Sequence, residues 1–183
     1  MVIKPLTDHR ILQERWCSER RWRGRVAREF CEFVSQLAAW DWFATLTFAR
    51  ALTAEVGVRE ASAFFTLLGF AAVEPVGWFA AAEVGRLGRR VHCHCLVTGV
   101  SSLQPAIWQQ LACNEFGRTT LEFFDPKRAA ARYTTKLIAG KLSAFDLGGT
   151  LNGADLSRFE EPLNIKVGRQ VIVPSDNMAH AKF

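Results

Sequence analysis

Residues 77–97 read GWFAAAEVGRLGRRVHCHCLV, two apolar runs either side of a short centre rich in glycine and arginine. Apolar runs of this length, separated by a few residues that include glycine, form an antiparallel hairpin. Leu87-Gly88 is the natural central pair, because glycine supplies the positive φ that a type II turn requires. In that register Arg86 faces Arg89, Val84 faces Val91 and Glu83 faces His92. A loop lengthened symmetrically about the same centre keeps the pairing. Strand side chains alternate, so His92 and His94 share one face while Val91, Cys93 and Cys95 share the other. Directly opposed residues lie on the same face with close Cβ atoms, so Glu83 joins the histidine pair. The thiols are expected in the core.

Working outward, 42–48 (WFATLTF) is rich in β-formers and reads as a central strand. A helix is expected over 53–71, stopped by Glu74-Pro75, and another over 103–116 with Pro105 early in it. RTTLEFF at 118–124 reads as a further strand. Asp125-Pro126 then starts a helix, a capping carboxylate followed by proline, which runs through KRAAARYTTKLIA to about Gly140. Beyond Leu142 the chain is rich in Gly, Asn and Asp, and the expectation there is irregular structure with one short strand over 164–173. Before the first strand, 8–40 carries a partly periodic apolar stripe and reads as helix, with Arg10, Arg15, Arg20, Arg21, Arg23, Arg25 and Arg28 crowding its first half. The order of elements predicts an α+β fold: a central antiparallel sheet of about five strands with flanking helices. Residues 1–40 form an Arg-rich helical extension packed on the same domain, and 41–183 the main domain with an irregular end.

Two imidazoles and one carboxylate on a common face suit a divalent ion with open positions, Mn²⁺ or Mg²⁺. The bland alternative is a pair of hydrogen-bonded surface histidines. A rival site, zinc held by Cys93 and Cys95 with His180 or Cys113, requires the thiols to leave the core.

The chain has a single tyrosine, Tyr133, in ARYTTK. On a helix Tyr133 and Lys136 are three apart and share a face. A phenol has a pKa of about 10 and needs a nearby cation to attack at neutral pH. Taken alone, the pair reads equally as a core ring and a solvated lysine.

Three blocks in order change that reading. FATLTF at 43–48, His92-Cys93-His94, and Tyr133-Thr134-Thr135-Lys136 resemble the motifs of the HUH endonucleases, and within them the single-tyrosine rolling-circle replication initiators, or Rep proteins. The resemblance spans roughly residues 42–141. It implies an RRM- or ferredoxin-like HUH fold, a metal site of Glu83, His92 and His94, and Tyr133 as nucleophile assisted by Lys136. It further implies nicking and joining of single-stranded DNA at an origin or hairpin through a 5′-phosphotyrosine, which initiates rolling-circle replication beside a host helicase and polymerase. Relaxases carry a second tyrosine, absent here, and no G-x-x-x-x-G-K-[ST] phosphate loop for a helicase domain occurs.

DNA contacts are expected from Arg86, Arg89 and Arg90 at the hairpin tip, from Arg132 beside the tyrosine, and from Arg21, Trp22 and Arg23 in the extension. The other tryptophans sit in apolar patterns and read as core. A single-tyrosine HUH transposase and a non-catalytic RRM-like module for single-stranded nucleic acid are the alternative functions. The net charge of +5 across 183 residues favours an acidic partner. No apolar run follows the charges at the start, and the longest greasy segment, 61–73, is too short to cross a bilayer. With five cysteines and no C-x-x-C pair, the expectation is a cytoplasmic, monomeric chain with reduced thiols and no membrane partner.

Overall fold

The computed structural model describes residues 25, 28–30, 32–84, 90–126 and 144–155. The chain order is β1 (Trp42–Thr47), α1 (Ala54–Leu68), β2 (Gly77–Val84), β3 (Val91–Thr98), α2 (Pro105–Phe116), β4 (Thr119–Phe123) and β5 (Ala144–Gly149). The strands form one five-stranded sheet in the order β4-β1-β3-β2-β5, and every neighbouring pair is antiparallel. The first six elements follow a β-α-β-β-α-β sequence, the split arrangement in which β3 separates β1 from β2. This is the α+β fold expected from the pattern of elements.

Local chemistry explains the helix limits. Thr53 caps α1 by accepting a hydrogen bond from the Val56 amide at 3.3 Å. The helix ends at Leu68 rather than 71, because Gly69 caps it and the amides of Phe70 and Ala71 bond back only three residues, to Leu67 and Leu68. Pro105 occupies the first turn of α2, where its missing N–H costs nothing.

The sheet has two different faces. One carries Trp42, Ala44, Leu46, Trp78, Ala80, Ala82, Val91, Cys93, Cys95 and Val97, and packs against Val58, Ala61, Phe64, Phe65 and Leu68 of α1 and Ala112 and Phe116 of α2. Each large side chain fully buried here contributes about 1.5–3 kcal/mol. Among the described residues, the cluster on the other face gathers at one end of it. Phe30 and Val34, in helical residues ahead of β1, seat on Phe79, Ala81, Leu96 and Phe145. Phe30 meets the Phe145 ring edge-on at 6.0 Å.

The fifth strand corrects the sequence expectation. The sequence predicts an irregular tail after Leu142 with a strand at 164–173; residues 164–173 lie outside the described residues, and the strand beside β2 is Ala144–Gly149, AFDLGG. Its Phe145 and Leu147 face the second cluster, while Asp146 turns to the α1 side and accepts a 2.7 Å hydrogen bond from Ser62. Gly149 ends the strand at φ 62°, and a Cβ there would stand 1.9 Å from the Val76 carbonyl oxygen. Only glycine fits that turn.

Candidate metal centre

The register of the β2–β3 hairpin is the one that a turn centred on Leu87-Gly88 requires: Val84 pairs with Val91, Glu83 with His92, and Ala81 with His94. The turn residues 85–89 lie outside the described residues. On the other side of β3, β1 places Thr45 opposite His94 and Thr47 opposite His92. The period-2 alternation then gathers Thr45, Thr47, Glu83, His92 and His94 on the face that the helices α1 and α2 do not cover.

Each imidazole is held through the same ring atom. Thr47 Oγ1 is hydrogen-bonded with His92 Nδ1 at 2.9 Å, and Thr45 Oγ1 with His94 Nδ1 at 3.2 Å. The Phe43 ring lies parallel to the His94 ring, tilted by 5° with centroids 6.2 Å apart. Nε2 of His94 is 3.8 Å from Oε2 of Glu83, the carboxylate lying diagonally across the hairpin. The His94 side chain is 15% exposed and that of Glu83 41%. Burial pushes the His94 imidazole below its ordinary pKa; the Glu83 carboxylate opposes this and the neighbouring His92 adds to it. At neutral pH the ring is therefore neutral and keeps one lone pair for bonding.

The thiols behave as expected of core. Cys93 and Cys95 are fully buried on the α1 side of β3, away from the histidines. Burial, with a smaller contribution from Glu60, pushes the Cys93 thiol up to about 12, and burial raises Cys95 well above its ordinary value. Thiols that stay protonated are poor metal ligands. Cys113 turns to a different partner, its Sγ donating to the Thr119 carbonyl at 3.6 Å.

Among the described residues no three His, Cys, Asp or Glu side chains are drawn closely enough together to hold an ion. Glu83, His92 and His94 share a face and a register, and the Glu83–His94 contact is formed. The donor types fit a divalent ion: one hard carboxylate, and two imidazoles whose Nδ1 atoms are occupied, leaving Nε2 for a metal. No family model, no curated protein and no solved structure matches this chain.

Of the remaining candidates, Arg90 is exposed just before β3. Arg21, Trp22, Arg23, Arg86, Arg89, Arg132, Tyr133 and Lys136 lie outside the described residues, as does His180. Trp40, Trp42 and Trp78 are buried, as their apolar surroundings predict, Trp108 is half-buried against the α1-side core, and Trp16 lies outside the described residues. No described helix is long and apolar enough to cross a membrane. The sequence reading missed the roles of Thr45 and Thr47. Their alternation in FATLTF marks a shared face, but the pairing of that face with β3 is a long-range contact that the motif alone does not contain.

Proposed function

We propose that this chain is a metal-dependent endonuclease and strand transferase for single-stranded DNA, of the single-tyrosine HUH type, acting as a replication initiator. The observation that carries this reading is the register Glu83↔His92 together with the Glu83–His94 contact, which puts a carboxylate and two imidazoles on the sheet face turned away from α1 and α2. A surface pair of histidines has no need of a carboxylate in that place. The ordered motifs FATLTF, His-Cys-His and Tyr-Thr-Thr-Lys, and the +5 charge, support the same reading.

In this reading Glu83, His92 and His94 would hold Mn²⁺ or Mg²⁺, which would supply positive charge to the scissile phosphate. Tyr133 contributes the nucleophile. Its phenol oxygen gives up its proton and bonds to phosphorus as the P–O3′ bond breaks, and the departing 3′-oxygen takes up a proton, leaving a 5′-phosphotyrosyl link and a free 3′-hydroxyl. Lys136, three residues on, offers an ammonium to the charge that builds on the phosphate or on the phenolate. The link conserves the phosphodiester energy, so the 3′-hydroxyl can later displace Tyr133 and rejoin the strand without ATP. Arg90, exposed beside the site, adds positive charge for the DNA backbone.

The test is direct. The protein is incubated with labelled single-stranded oligonucleotides, including a randomised pool and short hairpins, with Mn²⁺ or with EDTA. The expected product is a denaturation-resistant protein–DNA band that EDTA abolishes. DNA that is bound yet never retained covalently under any of these conditions would make the chain a non-catalytic RRM-like module instead.

A further inference from the structure

We infer that Thr45 and Thr47 are positioning residues, each fixing one imidazole through Nδ1 so that Nε2 of both rings is the atom offered to the cation; this rests on the metal reading above. The geometry is specific. Two hydroxyls on β1 stand opposite two histidines on β3, one to one, in consecutive same-face positions of a single antiparallel pair. Both contacts end on Nδ1, at 3.2 Å for Thr45 and His94 and 2.9 Å for Thr47 and His92. Two independent threonines meeting the same ring atom of two histidines give the rings a common orientation.

The chemistry follows from the tautomers of imidazole. A neutral ring has one N–H and one lone pair, and the partner of one nitrogen decides which is which. A threonine oxygen that accepts from Nδ1–H leaves the lone pair on Nε2, the arrangement that outer-sphere partners impose on metal-bound histidines. For His94 that lone pair stands 3.8 Å from the Glu83 carboxylate, two electron-rich groups that repel unless a cation lies between them. The hydroxyl can also donate, so in the metal-free protein Thr45 can support the Nε2–H form, in which His94 points its proton at Glu83. In either state the hydroxyl keeps Nδ1 turned to β1 and so leaves Nε2 as the free ring atom, an orientation that valine, of the same branched shape, has no group to hold.

The experiment uses the full chain with ¹⁵N-labelled histidine. Long-range ¹H–¹⁵N spectra at pH 8 report the tautomer of each ring, metal-free and with Mg²⁺. Wild type with Mg²⁺ is expected to show His92 and His94 as Nδ1–H forms. In the metal-free protein Thr45→Val should change the tautomer ratio of His94 alone and Thr47→Val that of His92 alone, while Thr→Ser at either position restores the wild-type pattern. Mn²⁺ affinity, followed by electron paramagnetic resonance, should fall about 10- to 100-fold in each valine variant and recover with serine. A general loss of structure moves both rings together and is not rescued by serine. Valine variants with unchanged rings and unchanged Mn²⁺ affinity overturn the inference, as does an Nε2–H form that persists with Mg²⁺ bound. If wild type binds neither ion, the metal reading falls, and the role of the threonines is then decided by the metal-free spectra of wild type against each valine variant.

Discussion

Gly57 is a buried position of α1 facing the strand that carries the histidines, and Gly57→Ala tests how closely helix and sheet are seated. Helix propensity alone predicts a gain, since glycine inside a helix costs about 1 kcal/mol relative to alanine. The structure predicts the opposite. A Cβ at residue 57 would stand 2.9 Å from Val91 Cγ1, 3.3 Å from Phe48 Cε2 and 3.5 Å from Cys93 Sγ. Val91, Phe48 and Cys93 are at most 2% exposed, so none has free volume to move into. Val91 is β-branched and stiff about χ1, which makes the shortest contact the hardest to relieve. Overpacking of a filled core costs about 1–3 kcal/mol, which outweighs the propensity term and leaves a net loss of about 1 kcal/mol. For a chain of this size that lowers Tm by about 2–4 °C, and Gly57→Leu, with three more carbons to place, should cost about 3 kcal/mol or more. Urea and thermal unfolding followed by tryptophan fluorescence give the values. A variant Gly57→Ala as stable as wild type, or more so, would show that the helix stands off the sheet and that the reasoning is wrong. The same strain pushes on β3 from behind His92 and His94, so the imidazole resonances should shift in step with the loss of stability.

Further outcomes can be checked separately. Tyr133→Phe should eliminate the covalent DNA adduct while leaving single-strand affinity within about twofold, since the variant removes one oxygen and no charge; a persistent adduct would move the nucleophile elsewhere. Because burial holds the His94 imidazole below its ordinary value, the folded chain binds fewer protons there than the unfolded one. That stabilisation is complete above about pH 6.5 and is lost as the pH falls through the lowered value, so the urea midpoint of wild type should drop more between pH 7.5 and 5 than that of His94→Asn. Asp146, raised by burial, works with the opposite sign and is common to both proteins, so the difference between the two curves isolates the histidine. Native protein treated with iodoacetamide at pH 8 should leave Cys93 and Cys95 unlabelled by mass spectrometry until urea is added, given their full burial and raised thiol pKa values. Rapid labelling of either in the native state would place that residue outside the core.

The chain's local pattern already contained the hairpin. Two runs about a symmetric turn fix which residues oppose, and a period of two fixes which share a face, so Glu83, His92 and His94 could be grouped and Cys93 and Cys95 sent to the core from the letters alone. Those are properties of neighbours in sequence. What the tertiary structure decided was everything that depends on a distant partner. AFDLGG has too little β-forming character to declare itself, and it becomes a strand because β2 offers an open edge, Gly148 and Gly149 make room against Trp78 and Val76, and Ser62 satisfies Asp146. Thr45 and Thr47 acquire their histidines only when β1 is laid beside β3, a pairing across more than forty residues of chain that no local rule encodes. The group Glu83, His92 and His94 sits between these cases. Its members are grouped by local register, but the contact that forms is the diagonal one from Glu83 to His94, because side-chain reach across a twisted pair is settled in three dimensions and not by the order of residues.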